Sequence, residues 1–287
     1  MSVNIIFYVV FLSQIILLSY YYPKRILQRF NNAIENYPIS KYPKLYNKSP
    51  DYYEAGAKIF KVMNRMILLI GLIILISIGY FNTVEGYKIE SVFSFFYWML
   101  QMLPIAMMEF SGFSYYKEMR KANKQPQRKA DITPRRLFDF VSPALLSTAA
   151  IVNISCFIFI LFLDDFEFKI GSDAFVIGLT LIAMNSLFAF IARFNINGQK
   201  QDPYQAIEDR NRQIKLNVRS LVIISIAASA FIIAEKGISN FDLLYLKPSM
   251  LSFYFQIIAW LSLGNLLDNM QLEDINFDVY KEDSSAA

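Results

Sequence analysis

The stretch Val92 to Tyr116, VFSFFYWMLQMLPIAMMEFSGFSYY, decides the fold. At about 1.5 Å of helical rise per residue, an apolar run of this length crosses the ~30 Å hydrocarbon core of a bilayer. It holds Glu109, the only carboxylate inside any hydrophobic run of the chain. An acid at that depth must find a partner, take up a proton or face water.

Six further apolar runs flank it. With the first, the set is 3–21, 66–81, 92–116, 144–163, 174–194, 221–234 and 250–267. Of 287 residues, 55% are hydrophobic and only 18% charged, which a soluble domain rarely shows. The sequence therefore specifies an all-α polytopic membrane protein, a bundle of about seven transmembrane helices forming one membrane-embedded domain. The first run has no basic leader and no small-residue cleavage site, so it reads as a retained anchor.

Charge sets the expected orientation. If the N-terminus lies outside, 23 of the 28 Lys and Arg fall in the inner segments 22–65, 117–143 and 195–220 and the tail from 268, and four fall in the outer loops. That bias predicts an N-out, C-in protein of a cytoplasmic (inner or plasma) membrane. Topology thus accounts for the basic loops, and the net charge of +4 gives no reason to invoke nucleic acid.

Each large inner loop ends in a helix-start pattern, a capping residue followed by proline: Ser49-Pro50, Thr133-Pro134 and Asp202-Pro203. These predict that the second and sixth spans begin near Pro50 and Pro203, well before the bilayer. They also divide the chain into one leading helix and three helical hairpins. Between the first two spans, Ile26, Phe30 and Ile34 recur at four-residue spacing beside Lys24 and Arg25, as in a helix lying at the interface. Tyr22-Pro23-Lys24 and Tyr42-Pro43-Lys44 repeat one tripeptide in the same loop. The tail 268–287, with six acidic residues against Lys281, could dock on the basic loops, but a solvated and mobile tail is the leading expectation.

Several chemistries lack their residues. The chain has no histidine and a single cysteine, Cys156, so no intrachain disulfide and no metal or cofactor site is expected. Patterns for a serine-hydrolase elbow, a phosphate-binding loop or a zinc protease do not occur. An intramembrane aspartyl mechanism needs two carboxylates sharing a proton, and Glu109 stands alone. The expectation is a protein that is not an enzyme.

One constellation remains. Counted from the inner ends of their spans, Gln14, Glu109, Asn153, Asn185 and Ser229 all lie seven to nine residues deep, roughly 10–14 Å at the helical rise. Arg193 sits closer to the inner end of its run. This belt has two readings: polar side chains bonding across helix contacts, or an inward cavity for a small solute or ion, with Glu109 as its acid. In either, Glu109 is expected to face the bundle interior, bonded to Asn153, Asn185 or water. The leading functional expectation is a non-catalytic protein that binds or scaffolds a protein partner through its basic, tyrosine-rich cytoplasmic loops. The alternative is a small-solute or ion transporter built on the belt. The other expected partner is the lipid bilayer itself.

Overall fold

A computed structural model describes residues 2–84, 90–123 and 135–282. Nine α-helices are found among them: α1 (Ser2–Ile16), α2 (Tyr22–Asn36), α3 (Pro50–Val84), α4 (Ser91–Ala122), α5 (Pro143–Leu163), α6 (Asp173–Asn197), α7 (Ile207–Asn240), α8 (Lys247–Ala259) and α9 (Asn265–Asn269). No strand occurs among the described residues. Lipid offers no partner for backbone N–H and C=O groups, so each long apolar run closes its own hydrogen bonds as a helix. Seven helical segments are long and apolar enough to cross a membrane, the seventh being the α8–α9 run from Leu244 to Asn269.

The second span is one helix from Pro50, which lengthens the short run 66–81 at its basic end as its cap pattern predicts. The sixth differs. Asp202 Oδ1 accepts from the Tyr204 and Gln205 N–H groups, and this turn delays the helix to Ile207. Thr133-Pro134 lies outside the described residues. α5 starts instead at Pro143, where Ser142 Oγ accepts from Leu145 N–H at 3.2 Å.

The first span runs on into the expected interface helix without a break. Pro23 has no N–H to offer the Ser19 carbonyl, and the chain absorbs this with a π turn, Leu17–Tyr21, in which Tyr22 N–H bonds back to the Leu17 carbonyl. α2 is thus a continuation of α1. The last span has a matching π turn, Trp260–Gly264, between α8 and α9. The two turns meet. The Tyr22 ring packs over Gly264, where a Cβ would come within 2.9 Å of the Tyr22 hydroxyl.

The bundle has two parts. α1, α3, α4 and α8 enclose a core of Phe7, Phe11, Ile15, Ile67, Ile78 and Tyr97. α5, α6 and α7 form a separate three-helix group, and α7 joins it to the rest by packing on α8. Most of each apolar surface faces outward, as suits contact with lipid.

The tail departs from expectation. Residues 272–280 form two short 3-10 turns that dock on the loop after α2, the end of α4 and Tyr204. Phe277 and Tyr280 are buried against Tyr37, Tyr42, Tyr115, Tyr116 and Met119. The Phe277 ring stacks on Tyr37 at 3.7 Å between centroids. Arg25 pairs with Asp268 and Arg212 with Asp274, each at 2.8 Å. Acidic and aromatic side chains of the tail meet arginines of α2 and α7 and tyrosines of α4 and the loop after α2, and this complementarity, rather than solvation, governs the segment.

Candidate functional site

The polar belt is two clusters, not one. Gln14 belongs to the first, between α1, α4 and α8. Its amide donates to Gln101 Oε1 at 3.0 Å and its Oε1 accepts from Ser252 Oγ at 2.6 Å. Gln101 Nε2 donates in turn to the Gln14 carbonyl at 3.2 Å and to Ser19 Oγ at 2.9 Å. Tyr97 shares a hydrogen bond with Ser19 and donates to the Ile67 carbonyl at 3.0 Å, tying in α3. Gln14 and Ser252 are wholly inaccessible. Every donor here meets an acceptor in a sealed space, which is the pattern of a lock between helices.

Asn153, Asn185 and Ser229 belong to the second cluster, between α5, α6 and α7, together with Ser225. Asn153 Nδ2 donates to Ser225 Oγ at 3.0 Å, Ser225 Oγ to Asn185 Oδ1 at 2.6 Å, and Asn185 Nδ2 to Asn153 Oδ1 at 2.8 Å. These three bonds close a ring. Ser229 Oγ adds a fourth, to Asn153 Oδ1 at 3.1 Å. Both asparagines also donate to the carbonyl four residues back on their own helix, which fixes their side chains.

The quartet is not sealed. An apolar groove of ≈ 580 Å³ between α5 and α6 reaches it from the side of the 164–172 turn, past Phe157, Phe175 and Gly178. Gly178 forms part of the floor; a Cβ there would lie 2.8 Å from the Phe157 ring. A second cavity of ≈ 450 Å³ reaches it from the opposite end, past Phe188, Ala192 and Val222. Asn185 lines both. Volumes of this size suit small ligands.

Arg193 stands at the mouth of the second cavity with Arg135 and Asn197. It is exposed and lies eight residues, roughly 12 Å, from Asn185 along α6. Beyond the mouth are Lys200, which donates to the Pro203 carbonyl at 3.1 Å, and Arg210, which donates to the Gly198 carbonyl. Burial pushes the Lys200 ammonium below its ordinary range; Asp202 opposes this, while Arg210 and Arg135 add to it. Among the described residues, the side chains at that end of the cavity are mostly cationic.

Glu109 requires a correction. It lies on an exposed part of α4, with its neighbours Met107, Met108 and Phe110 exposed too, and it makes no hydrogen bond or ion pair with the described residues. The bundle interior meets α4 roughly one to four turns earlier, at Ser94, Tyr97, Gln101 and Pro104, all buried. Between Pro104 and Tyr115 the helix leaves the packed core, and the acid lies in this uncovered stretch; packing resumes at Tyr115, Tyr116 and Met119. Depth along a helix does not specify which face turns inward.

Gln101, Ser19, Tyr97 and Ser252 escape the depth count because the helices they sit on are not level with one another. Gln101 in an otherwise apolar run was the available signal. Among the described residues no group of three or more His, Cys, Asp or Glu is placed to hold a metal ion. No family model, characterised protein or solved structure matches this chain.

Proposed function

We propose that this is a non-catalytic membrane protein that binds a small amphiphile at the Asn153, Asn185, Ser225 and Ser229 quartet and lets it pass between the two cavities. The observation that carries the reading is their meeting at Asn185. A ring of neutral amides and hydroxyls can exchange its internal hydrogen bonds for those of a bound polar group at little net cost, since each broken bond is replaced. The apolar walls on both sides take the hydrocarbon part. The quartet carries no titratable group, so no coupled proton is required, and Glu109 has no part in the path. The basic bias supports placing the quartet in a cytoplasmic membrane, N-terminus outside.

The test is transbilayer movement of fluorescently labelled phosphatidylcholine in vesicles, read by dithionite quenching of the label. Wild-type protein should accelerate movement over protein-free vesicles. Asn185→Leu should abolish the acceleration, and Ala189→Phe, which narrows one cavity without touching the ring, should reduce it. No acceleration by wild type, or full acceleration by both variants, removes the reading.

The second reading is a protein partner on the basic inner loops. Two of its tyrosines, Tyr37 and Tyr42, are already covered by residues 272–280, but Tyr52, Lys41, Lys58, Lys61 and Arg65 stay exposed. It predicts co-purification of another protein that is lost when 24–48 is replaced by a neutral linker. Binding that survives the replacement would end it.

A further inference from the structure

The second cavity is graded along its length. Its mouth carries two guanidinium groups, Arg135 and Arg193; its walls are apolar at Leu146, Phe188 and Val222; its floor is the amide of Asn185. A neutral ligand has no use for the first feature and a small inorganic anion has none for the second. A molecule that matches both has an anionic head and a hydrocarbon body; the Asn185 amide at the floor is already bonded to Asn153, Ser225 and the Leu181 carbonyl and asks nothing of its chain end. Arginine is also the cation suited to phosphate, since its planar fork presents paired donors to two oxygens.

Exposure fixes the source. Ala189 and Arg193 are exposed on the outer surface of α6, so the cavity opens sideways where the apolar helix faces meet lipid, as well as toward the charged end. A lipid can enter with its chain still in the hydrocarbon and its phosphate at the level where arginine side chains extend to headgroups. The charge of the described residues supports this: Lys200 and Arg210 lie beyond the mouth, and Asp202 is engaged by Tyr204, Gln205 and Tyr280.

We infer that this cavity is a seat for an acidic phospholipid, its phosphate held between Arg135 and Arg193 and one acyl chain lying along Phe188 and Val222 toward Asn185. The inference rests on the proposed function only for what the lipid does next; the charge preference stands on the mouth alone. A seated lipid is then the amphiphile that reaches the quartet, and the cation pair gives the site its headgroup preference.

Spin-labelled phosphatidylglycerol and phosphatidylcholine in vesicles containing the full chain provide the probe, read as the immobilised fraction of each label. Wild type should favour phosphatidylglycerol. Arg135→Gln and Arg193→Gln should each lower that preference roughly fivefold, on the scale of one cationic contact to an anionic headgroup. Arg120→Gln, an exposed arginine at the end of α4, should leave it unchanged. Ala192→Phe keeps both charges and fills the wall, and should release both labels. Inorganic phosphate should not displace the lipid; if it does, the site takes a soluble anion and the lipid assignment fails. Equal immobilisation of both labels by wild type, or an undiminished preference in the double arginine variant, also overturns it. Absence of preference in wild type, with label movement intact, removes only this inference. Absence of movement together with absence of immobilised lipid of either kind removes the proposed function as well.

Discussion

The two polar clusters are built from the same chemistry and differ in what surrounds them. In the α1, α4 and α8 cluster, Gln14, Gln101 and Ser252 are sealed from every surface. In the α5, α6 and α7 cluster, Ser225 and Ser229 are equally buried, but Asn153 and Asn185 edge onto open cavities. The cost of an unpaired amide depends on whether anything else can reach it. A sealed amide whose partner is removed has no substitute, whereas one beside a cavity can turn to water or to a ligand. Equivalent substitutions should therefore separate a lock from a site.

The largest effect is expected at the lock. Gln101→Leu removes the acceptor of the Gln14 amide and the donor to Ser19 together. Interhelical hydrogen bonds in membranes average only ~0.6 kcal/mol, because stranded groups usually find other partners. Here two groups are stranded in a closed space, so the loss should reach about 3 kcal/mol. Denaturant unfolding in detergent micelles measures it. A loss no larger than that of Asn185→Leu would erase the distinction between the clusters.

Next comes the contact that closes the same core. Tyr97 lies across Gly71 so closely that any Cβ there would collide with its phenol ring. Gly71→Ala must push Tyr97 off the Ile67 carbonyl and away from Ser19, for a cost of about 2 kcal/mol from overpacking and lost bonds. An unchanged midpoint in the same unfolding measurement would mean that α3 and α4 cross more loosely than their contact indicates.

At the quartet, Asn185→Leu should cost stability only ~0.6 kcal/mol while abolishing amphiphile movement. The sharp outcome is this divergence: Gln101→Leu weak in stability, Asn185→Leu weak in function. A large stability loss at Asn185 would make the second cluster another lock.

Much of this was legible in the sequence, and the part that was not has one cause. Apolar runs, the Pro50 start and the return hairpins follow from local composition. The polar residues Gln14, Asn153, Asn185 and Ser229 were identifiable as inward-facing because lipid penalises the alternative. Which of them meet depends on helix neighbours, a property of the whole packing, and so a single belt became two clusters. Glu109 fails for a related reason: α4 leaves the core past Pro104, and nothing local marks where a helix stops being covered. Docking of the tail was legible only as the lesser alternative, through its acidic charge; what the sequence did not weigh was Phe277 and Tyr280, whose tyrosine partners are distant in sequence.

The remaining prediction tests that docked tail. Asp202 accepts from the Tyr204 and Gln205 N–H groups and from the Tyr280 hydroxyl, and these donors favour its ionised form. Burial outweighs them and holds the carboxyl above the ordinary value of 3.8. Burial, with Asp202 alongside, also pushes the Tyr280 hydroxyl far upward, so it remains a donor at any ordinary pH. For an acid whose folded pKa is raised, the folded state binds the proton more tightly than the unfolded state does. The stability this group contributes is therefore fully present below about 3.8 and is lost as pH rises through the folded value. Tail docking, read as resistance of the segment 270–282 to limited proteolysis, should weaken over that window. Asp202→Asn is isosteric: its Oδ1 can accept from the two N–H groups and its Nδ2 can donate to the Tyr280 oxygen, with no charge to desolvate. The variant should hold the tail at least as firmly as wild type near neutral pH and show no dependence in the acid range. Tyr280→Phe removes the hydroxyl but keeps the ring, and should loosen the tail by about 1 kcal/mol. A tail that loosens on acidification in wild type would mean that the three donors prevail over burial, and the Asp202 carboxylate, rather than its neutral form, holds the cap closed.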